Sequence, residues 1–422
     1  MTTDAAGRRL QGLLEAAEAA SPLAAVEAVT GELGLALGAT RISFLIADLS
    51  GRSLVRLTVD AREHQVAQYA SDTGSLRRSG NEAAQVLAVD DGPMGRTLRE
   101  QTVSCRRLDP GWQVLAPVTE RGEALGLLEL MLPDEPDERV LRTVRWSAHV
   151  LAFVVIANRR HTDLFEWAQR RTPPTLSAEI QRRLLPAAYT CEAAAFTLAG
   201  WLEPAGSVAG DTFDYSLGRD TLHLSITDAM GHGVASALTA TLCVGSLRNS
   251  RRQGLDLVQA ATRANDDIAE HVGEVGEAFA TGLLARLDLG DGLLTAVNAG
   301  HVLPLLARDG QVEVIRLPAD VPLGMLPGTR YRSTDVQLRP GDRLLLVTDG
   351  MLERNAADLD LRAQILDTRR AHPREAVRYL ADAVVAVAGP VLPDDATLLV
   401  LDWHGGHTDP RTSRAGADAR AT

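Results

Sequence analysis

Cysteine is scarce: Cys105, Cys191 and Cys243 are the three in 422 residues, and they are scattered. An odd, dispersed set supports neither a disulfide framework nor a cysteine-based zinc site, and it points to a reducing compartment. Long apolar runs are missing too. The most apolar stretch, Val150 to Ala157, lies between Arg145 and Arg159-Arg160, far short of the ~20 residues that span a bilayer. The first twenty residues include acidic side chains and no long apolar core, so they do not read as a secretory signal. Basic residues are outnumbered, 43 Lys+Arg against 55 Asp+Glu, for a net charge of −12. A general nucleic-acid binder would need the opposite balance. What is present is an ordinary globular mixture, 45% hydrophobic and 23% charged, in a length suited to two or three domains at ~100–200 residues each. The expectation is a soluble, cytoplasmic protein without a membrane or nucleic-acid partner.

The first ~20 residues form an Ala/Leu-rich helix pattern, and Leu23, Val26, Val29, Leu33 and Leu37 continue at helical spacing. Residues 41–60 read as two strands around Ser50-Gly51, a hairpin signal. A loop over 91–95 leads into a short helix over 96–101, and 112–133 read as a second strand pair turning at Glu120 to Glu123. This order suits a small antiparallel α+β domain. Together with APVTERGEALGLLEL (116–130), it resembles a GAF domain, a ligand-sensing module. From Asp137 to Gln169 the pattern is helical. Two readings stay open there: a core helix of the first domain, or a stalk that continues outward and forms a dimer. Arg170 to Pro174 breaks it. A new helix spans Leu176 to Leu185, capped by Thr175 or Ser177 and stopped by Pro186. Its apolar face is expected to be Leu176, Ile180 and Leu184, either as a fixed core helix or as a regulatory switch, with Gln181 and Arg182 as polar contacts.

Beyond Phe196 short strands follow one another, interrupted by long helices over about 232–250, 255–272 and 373–388. That balance suggests a sheet sandwich flanked by helices. The informative feature is a set of aspartates where strands stop or start: Asp211 after Gly210, Asp228 closing LHLSIT, Asp349 closing RLLLVT, and Asp394-Asp395 opening ATLLVL. A carboxylate at a buried strand end is costly unless something cationic compensates it. Hard oxygen donors gathered at one sheet edge suit Mg²⁺ or Mn²⁺ with waters completing the shell.

The ordered set LSAEIQRRLLP (176–186), VAGDTFDY (208–215), SITDAMGHGVASAL (225–238), NAGHVLPLL (298–306), PLGML (322–326), LLLVTDGMLE (344–353) and DDATLLVLDW (394–403) resembles the metal-dependent PPM phosphatases of the bacterial sporulation and stress-response type. Ala209, where that family usually has a second glycine, and Ala229 after Asp228 are departures. Patterning and the two resemblances together give an expected α+β chain: an N-terminal helix over 1–20, a GAF-like sensor over 21–160, a helical linker or switch helix over 161–190, a PPM-type α-β-β-α sandwich over 191–404 and a disordered tail over 405–422. The PPM resemblance implies two Mn²⁺ or Mg²⁺ ions. Asp228 would bridge them, Ala229 would offer its carbonyl, Asp349 and Asp395 would hold one ion, and Asp211 would act on the other.

Asp214 and Asp394 are secondary candidates, read alternatively as solvated or helix-capping carboxylates. His232 and His301 are further candidates, read alternatively as helix-start or turn histidines bonded to backbone. Ile180, Gln181 and Leu184 form the expected regulatory helix. The implied activity is a serine/threonine phosphatase using an activated water, with a phosphorylated anti-sigma-factor antagonist as substrate, a ligand or partner at the sensor, and a homodimer. The competing reading is an inactive phosphatase-fold scaffold that passes a signal by binding partners. A cysteine nucleophile lacks a phosphate-cradling loop, a cyclic-dinucleotide cyclase would need an acid at Thr212, and kinase motifs are missing.

Overall fold

The computed structural model describes residues 2–48, 51–59, 75–79, 82–89, 91–170, 175–203, 210–272, 278–352, 360–389, 392, 394–406 and 416. The chain separates into two compact units, residues 1–173 with 412–419 and residues 174–411 with 420–422.

The first unit opens with helices α1 (Thr2–Ala19) and α2 (Ala25–Leu37), followed by strands β1 (Arg41–Ala47) and β2 (Ser53–Val59). Strands β3 (Ser75–Ser79) and β4 (Glu82–Ala88), helix α3 (Pro93–Glu100), and strands β5 (Ser104–Leu108), β6 (Gly111–Glu120) and β7 (Glu123–Leu132) come next. They make one seven-stranded antiparallel sheet in the order β3-β4-β2-β1-β7-β6-β5. Both sequence-read hairpins are present. Strands β3, β4 and β5 are not legible as such, and α3 begins at Pro93, whose fixed φ suits a first helical turn. One sheet face puts Ile46, Val55, Val114, Leu128 and Leu130 into a core shared with α2 and with α4 (Glu138–Asn158).

Alternation along the strands sends Leu45, Leu54, Leu87 and Leu127 to the other face, packed on Leu98 of α3. Continuing along that face, Arg56 and Glu129 are fully buried and joined at 2.5 Å. Gln85 accepts from Arg56 at 2.7 Å, and Gln113 donates to Glu129 at 2.7 Å. The ion pair thus sits inside a hydrogen-bonded network of neutral amides, which is what makes a buried charge tolerable.

Helix α4 decides between the two readings of residues 137–169. Asp137 caps it by accepting from Val140 N at 2.8 Å, and Val144, Ala148, Leu151 and Val155 are in the core. It stops at Asn158; after a single 3-10 turn the short helix α5 (Leu164–Gln169) places Phe165 and Ala168 back in the same core. The outward stalk is therefore incorrect: the apolar residues Phe165 and Ala168 fold the segment back. Among the described residues, Glu138–His161 is the one helix long and apolar enough to cross a bilayer, at a hydropathy of 1.5. Its inward face is the core helix just described.

In the second unit, α6 (Leu176–Leu184) precedes strands β8 (Thr190–Glu192), β9 (Phe196–Glu203), β10 (Asp211–Leu217) and β11 (Thr221–Ala229). Helices α7 (Gly233–Arg252) and α8 (Leu257–Val272) lead to strands β12 (Ala280–Asp288), β13 (Leu293–Ala299), β14 (Leu305–Arg308), β15 (Gln311–Val314), β16 (Ala319–Asp320), β17 (Ser333–Gln337) and β18 (Arg343–Val347). Helices α9 (Leu361–Asp367) and α10 (Pro373–Ala388) and strand β19 (Ala396–Trp403) finish the unit. One sheet runs β10-β11-β12-β13-β16 with β17 also on β13; the other runs β15-β14-β18-β19-β9-β8.

The sheets meet through Phe196, Leu198, Phe213, Leu224, Ile226, Leu283, Leu344 and Leu399. The odd positions of β11 face the other way, where Ala229 and Leu284 pack with Ala240, Val244 and Ala261 of α7 and α8. On the second sheet Ala199, Leu345, Leu398 and Val400 pack with Val377, Leu380 and Val384 of α10. Helix, sheet, sheet and helix are the four layers, as the strand and helix pattern suggests. The tail expected to be disordered, 405–422, falls mostly outside the described residues, as do Ala209 and most of the 170–174 break.

The Arg56–Glu129 pair yields a stability prediction. Glu129→Ala leaves a buried guanidinium uncompensated and should lower unfolding free energy by ~3–5 kcal/mol, while Arg56→Met with Glu129→Leu should restore most of it. Denaturant melts of the three proteins measure this, and a Glu129→Ala loss below ~1 kcal/mol, the size of an exposed pair, would refute it.

Candidate active site

The two sheets bring their carboxylates together at one end of the sandwich. Antiparallel register places Asp211, first residue of β10, directly opposite Asp228 near the end of β11. The other sheet supplies Asp349, opening a one-turn 3-10 helix after β18, and Asp395, immediately before β19. The close approach of the first two strands requires Gly210: a Cβ there would lie 2.4 Å from the Ala229 carbonyl oxygen. Ala229 N in turn donates to Gly210 O at 3.2 Å.

Asp211 is buried, and two threonine hydroxyls hold its carboxylate. Its Oδ2 accepts from Thr348 Oγ1 and Thr397 Oγ1, both at 2.7 Å, and Thr348 Oγ1 accepts from Thr397 N at 3.0 Å. Asp395 Oδ2 accepts from Gln181 Nε2 at 2.7 Å, Gly210 N at 3.2 Å and Asp211 N at 3.4 Å. Burial pushes the Asp211 carboxyl well above the ordinary carboxylate range, Asp228 and Asp395 add to it, and the two threonine hydroxyls oppose it. Asp228 is pushed up to about 7 by burial first and then by Asp349, Asp394 and Asp395, against a hydrogen bond with Asp211. Among the described residues no guanidinium forms an ion pair with Asp211, Asp228 or Asp349.

This donor set fits a hard divalent cation. Mutual repulsion and burial raise the proton affinity of the pair, and a cation would relieve both. Among the described residues no three His, Cys, Asp or Glu side chains close on a single point. Mg²⁺ and Mn²⁺ tolerate that arrangement, since they keep several waters and take one or two carboxylates each, whereas a closed zinc cage does not.

Asp394 Oδ1 accepts from Asp395 N at 3.0 Å, so it orients its neighbour. Asp214 is not part of the cluster. Its strand alternation turns it toward α7, where Arg248 grips it at 3.1 and 3.0 Å and Arg251 approaches at 3.4 Å. His232 is the exposed residue before α7 and makes no capping bond. His301 is buried in a structural role: Nδ1 pairs with Thr281 Oγ1 at 2.7 Å, Nε2 with Val347 O at 3.1 Å, and Asn298 braces both its main-chain groups. It pins the NAGH turn to the end of β18, two residues before Asp349.

Helix α6 corrects the expected face. Leu176 is 65% exposed and Ile180 only partly covered, while Ser177, Gln181 and Leu184 are buried, Gln181 at 2%. The helix packs on α7 and on β10, the strand of Asp211, rather than on the strand of Asp228. Gln181 donates both to Asp395 and to Asp211 O, the latter at 2.8 Å. Thr348 and Thr397 are the site residues that sequence reasoning missed. Their signal was a lone hydroxyl inside the apolar runs LLLVTDG and DDATLLV.

Residues 218–404 match the family model described as Stage II sporulation protein E (SpoIIE). The second unit is similar to bacterial phosphoserine phosphatases. RsbP of Bacillus subtilis is 24% identical over 188 residues, which is 42% of this chain and 44% of RsbP. RsbU of the same organism is 22% identical over 282 residues, 65% of this chain and 83% of RsbU. The RsbU and RsbW domains of Rv1364c from Mycobacterium tuberculosis align at 25% identity and TM-score 0.44, over 52% of this chain and 62% of that one. The chain spans less than half the length of RsbP.

Two measurements follow. Gln181→Ala removes the buried amide donor to Asp395 and to Asp211 O and should cost ~1–3 kcal/mol, whereas Leu176→Ala should stay within ~0.5 kcal/mol; thermal melts giving the reverse order would discard the assigned face. Burial holds the His301 imidazole down at about 4 from its ordinary 6.5. Because the folded value is the lower one, the stability tied to neutral His301 is complete above pH 6.5 and lost as pH falls toward 4. The loss is on the order of 3 kcal/mol, and His301→Gln should show a correspondingly flatter decline in unfolding free energy over that window.

Proposed function

We propose that this chain is a metal-dependent phosphoprotein phosphatase of the PPM type. The observation that carries the reading is the group of four aspartates, Asp211, Asp228, Asp349 and Asp395, contributed by two sheets to one end of the sandwich. Similarity to phosphoserine phosphatases supports it. In this reading Asp228, the Ala229 carbonyl, Asp349, Asp395 and Asp211 would hold the divalent cations, and Asp394 would steer Asp395. When bound, Mn²⁺ or Mg²⁺ supplies the Lewis acidity that phosphate-ester hydrolysis requires. The chain's own part is positional. Thr348 and Thr397 fix the Asp211 carboxylate, Gly210 lets β10 meet β11, His301 anchors the end of β18, and Gln181 fixes Asp395.

The finer reading places the enzyme in partner switching. Its substrate would be a phosphorylated antagonist of an anti-sigma factor, the N-terminal unit a GAF-like sensor for a ligand or partner, and the working form a cytoplasmic homodimer. Family resemblance alone supports these points. Regulation rests on α6 in this reading: a shift of Gln181 would release Asp395 and the main chain of Asp211 together, which gives the sensor a two-state element to bias.

The test is turnover of a phosphoserine peptide by the purified full-length chain. Activity should appear with Mn²⁺ or Mg²⁺ and vanish in excess chelator. Asp228→Asn should retain less than about a tenth of wild-type turnover, a barrier increase above ~1.4 kcal/mol. Full activity in chelator, or an Asp228→Asn enzyme that works normally, would remove the reading.

A further inference from the structure

Helices α7 and α8 do not cover the outer face of β11 evenly. Near its start a cavity of about 280 Å³ opens between β11, β12, the last turns of α7 and the connection into α8. It lies five residues before Asp228, roughly 17 Å along an extended strand, and so is separate from the carboxylate cluster. The volume is just under the roughly 300–1,000 Å³ common for small-molecule sites, which suits an aromatic acid rather than a nucleotide.

The lining divides by chemistry. Leu247, Leu255 and Leu284 supply an apolar wall, while His223, Arg251 and Arg286 present nitrogen. Positive charge is in excess there. Asp214 already takes two bonds from Arg248, at 3.1 and 3.0 Å, and Arg251 reaches it only at 3.4 Å. Arg286, across the register from His223, has no ion-pair partner among the described residues. The one carboxylate lining the cavity, Asp256, is engaged in capping α8, its Oδ1 accepting from Gln259 N at 2.8 Å. Burial and the two guanidiniums hold His223 below its ordinary pKa, so its ring is neutral beside them.

We propose that this cavity binds a small organic anion with an apolar body, its head group held by Arg251 and Arg286 and its body against Leu247, Leu255 and Leu284. Arg251 makes the site consequential, because the same side chain touches Asp214, three residues along β10 from Asp211. The experiment is calorimetric titration of the full-length chain with naphthoate, in chelator so that no metal-held carboxylate contributes. Saturable binding is expected, about tenfold or more weaker for the neutral analogue naphthylmethanol and for Arg251→Gln or Arg286→Gln, the loss of one charged hydrogen bond. Arg286 is exposed, so its variant should fold, and a melt of each variant checks this. Failure of the wild type to saturate, equal affinity for the neutral analogue, or unchanged binding by the folded Arg286→Gln variant would each overturn the proposal.

Discussion

Everything about the second unit turns on holding like charges close together where burial limits their screening by water. Asp211 and Asp228 face one another across a strand pair, and Asp349 and Asp395 arrive from a separate sheet. Left alone, such a group raises its own proton affinity, as it does here for Asp211 and Asp228. The surrounding fold has to keep the strand ends in place against that repulsion. It does so with neutral donors: two threonine hydroxyls on Asp211, and an amide plus two backbone N–H groups on Asp395.

The choice of neutral donors stands out against the rest of the unit. The sequence contains no lysine, so all 43 of its Lys+Arg residues are arginine. Away from the cluster, each buried carboxylate of this unit has a basic partner. Asp214 has Arg248, Asp342 has Arg308 at 2.9 Å, and Glu192 has His372 at 2.7 Å. Arginine's planar fork suits such pairing, because two parallel hydrogen bonds both fix geometry and cancel charge. At the sheet ends the same device would fix the geometry but cancel the charge, and a neutralised carboxylate attracts a cation only weakly.

The sequence made the carboxylates legible because strand ends are marked by turn chemistry and because an aspartate closing an apolar run has few structural reasons to be there. The four-layer order followed from strand and helix patterning for the same reason. Helix α6 was misread by one position. Apolar spacing selects Leu176, Ile180 and Leu184, but the face toward β10 is chosen by what it must meet, a buried carboxylate and a carbonyl, and Gln181 meets both. Periodicity counts hydrophobicity and is blind to a polar side chain recruited inward. Strands β3 and β5, SLRRS and SCRRL, escaped notice because an adjacent pair of arginines breaks the period-two apolar pattern. The stalk failed for a different reason: past Asn158 the chain turns polar, and nothing local reveals that Phe165 will return to the core.

Gln181 then carries an implication that composition alone could not supply. An arginine at this position would hold Asp395 more tightly, by roughly twice the strength of a neutral bond, but it would compete with any cation for the same oxygen. An alanine would leave the oxygen to the backbone N–H groups of Gly210 and Asp211, and the carboxylate would lose its amide anchor. A neutral amide long enough to reach Asp395 and Asp211 O at once is the side chain that ties the helix to both sheets while leaving the charge intact. The polar link between α6 and the carboxylate end of the sandwich therefore runs through two hydrogen bonds from a single nitrogen. Such a link can be broken by a small displacement of the helix, without unpacking the core on either side.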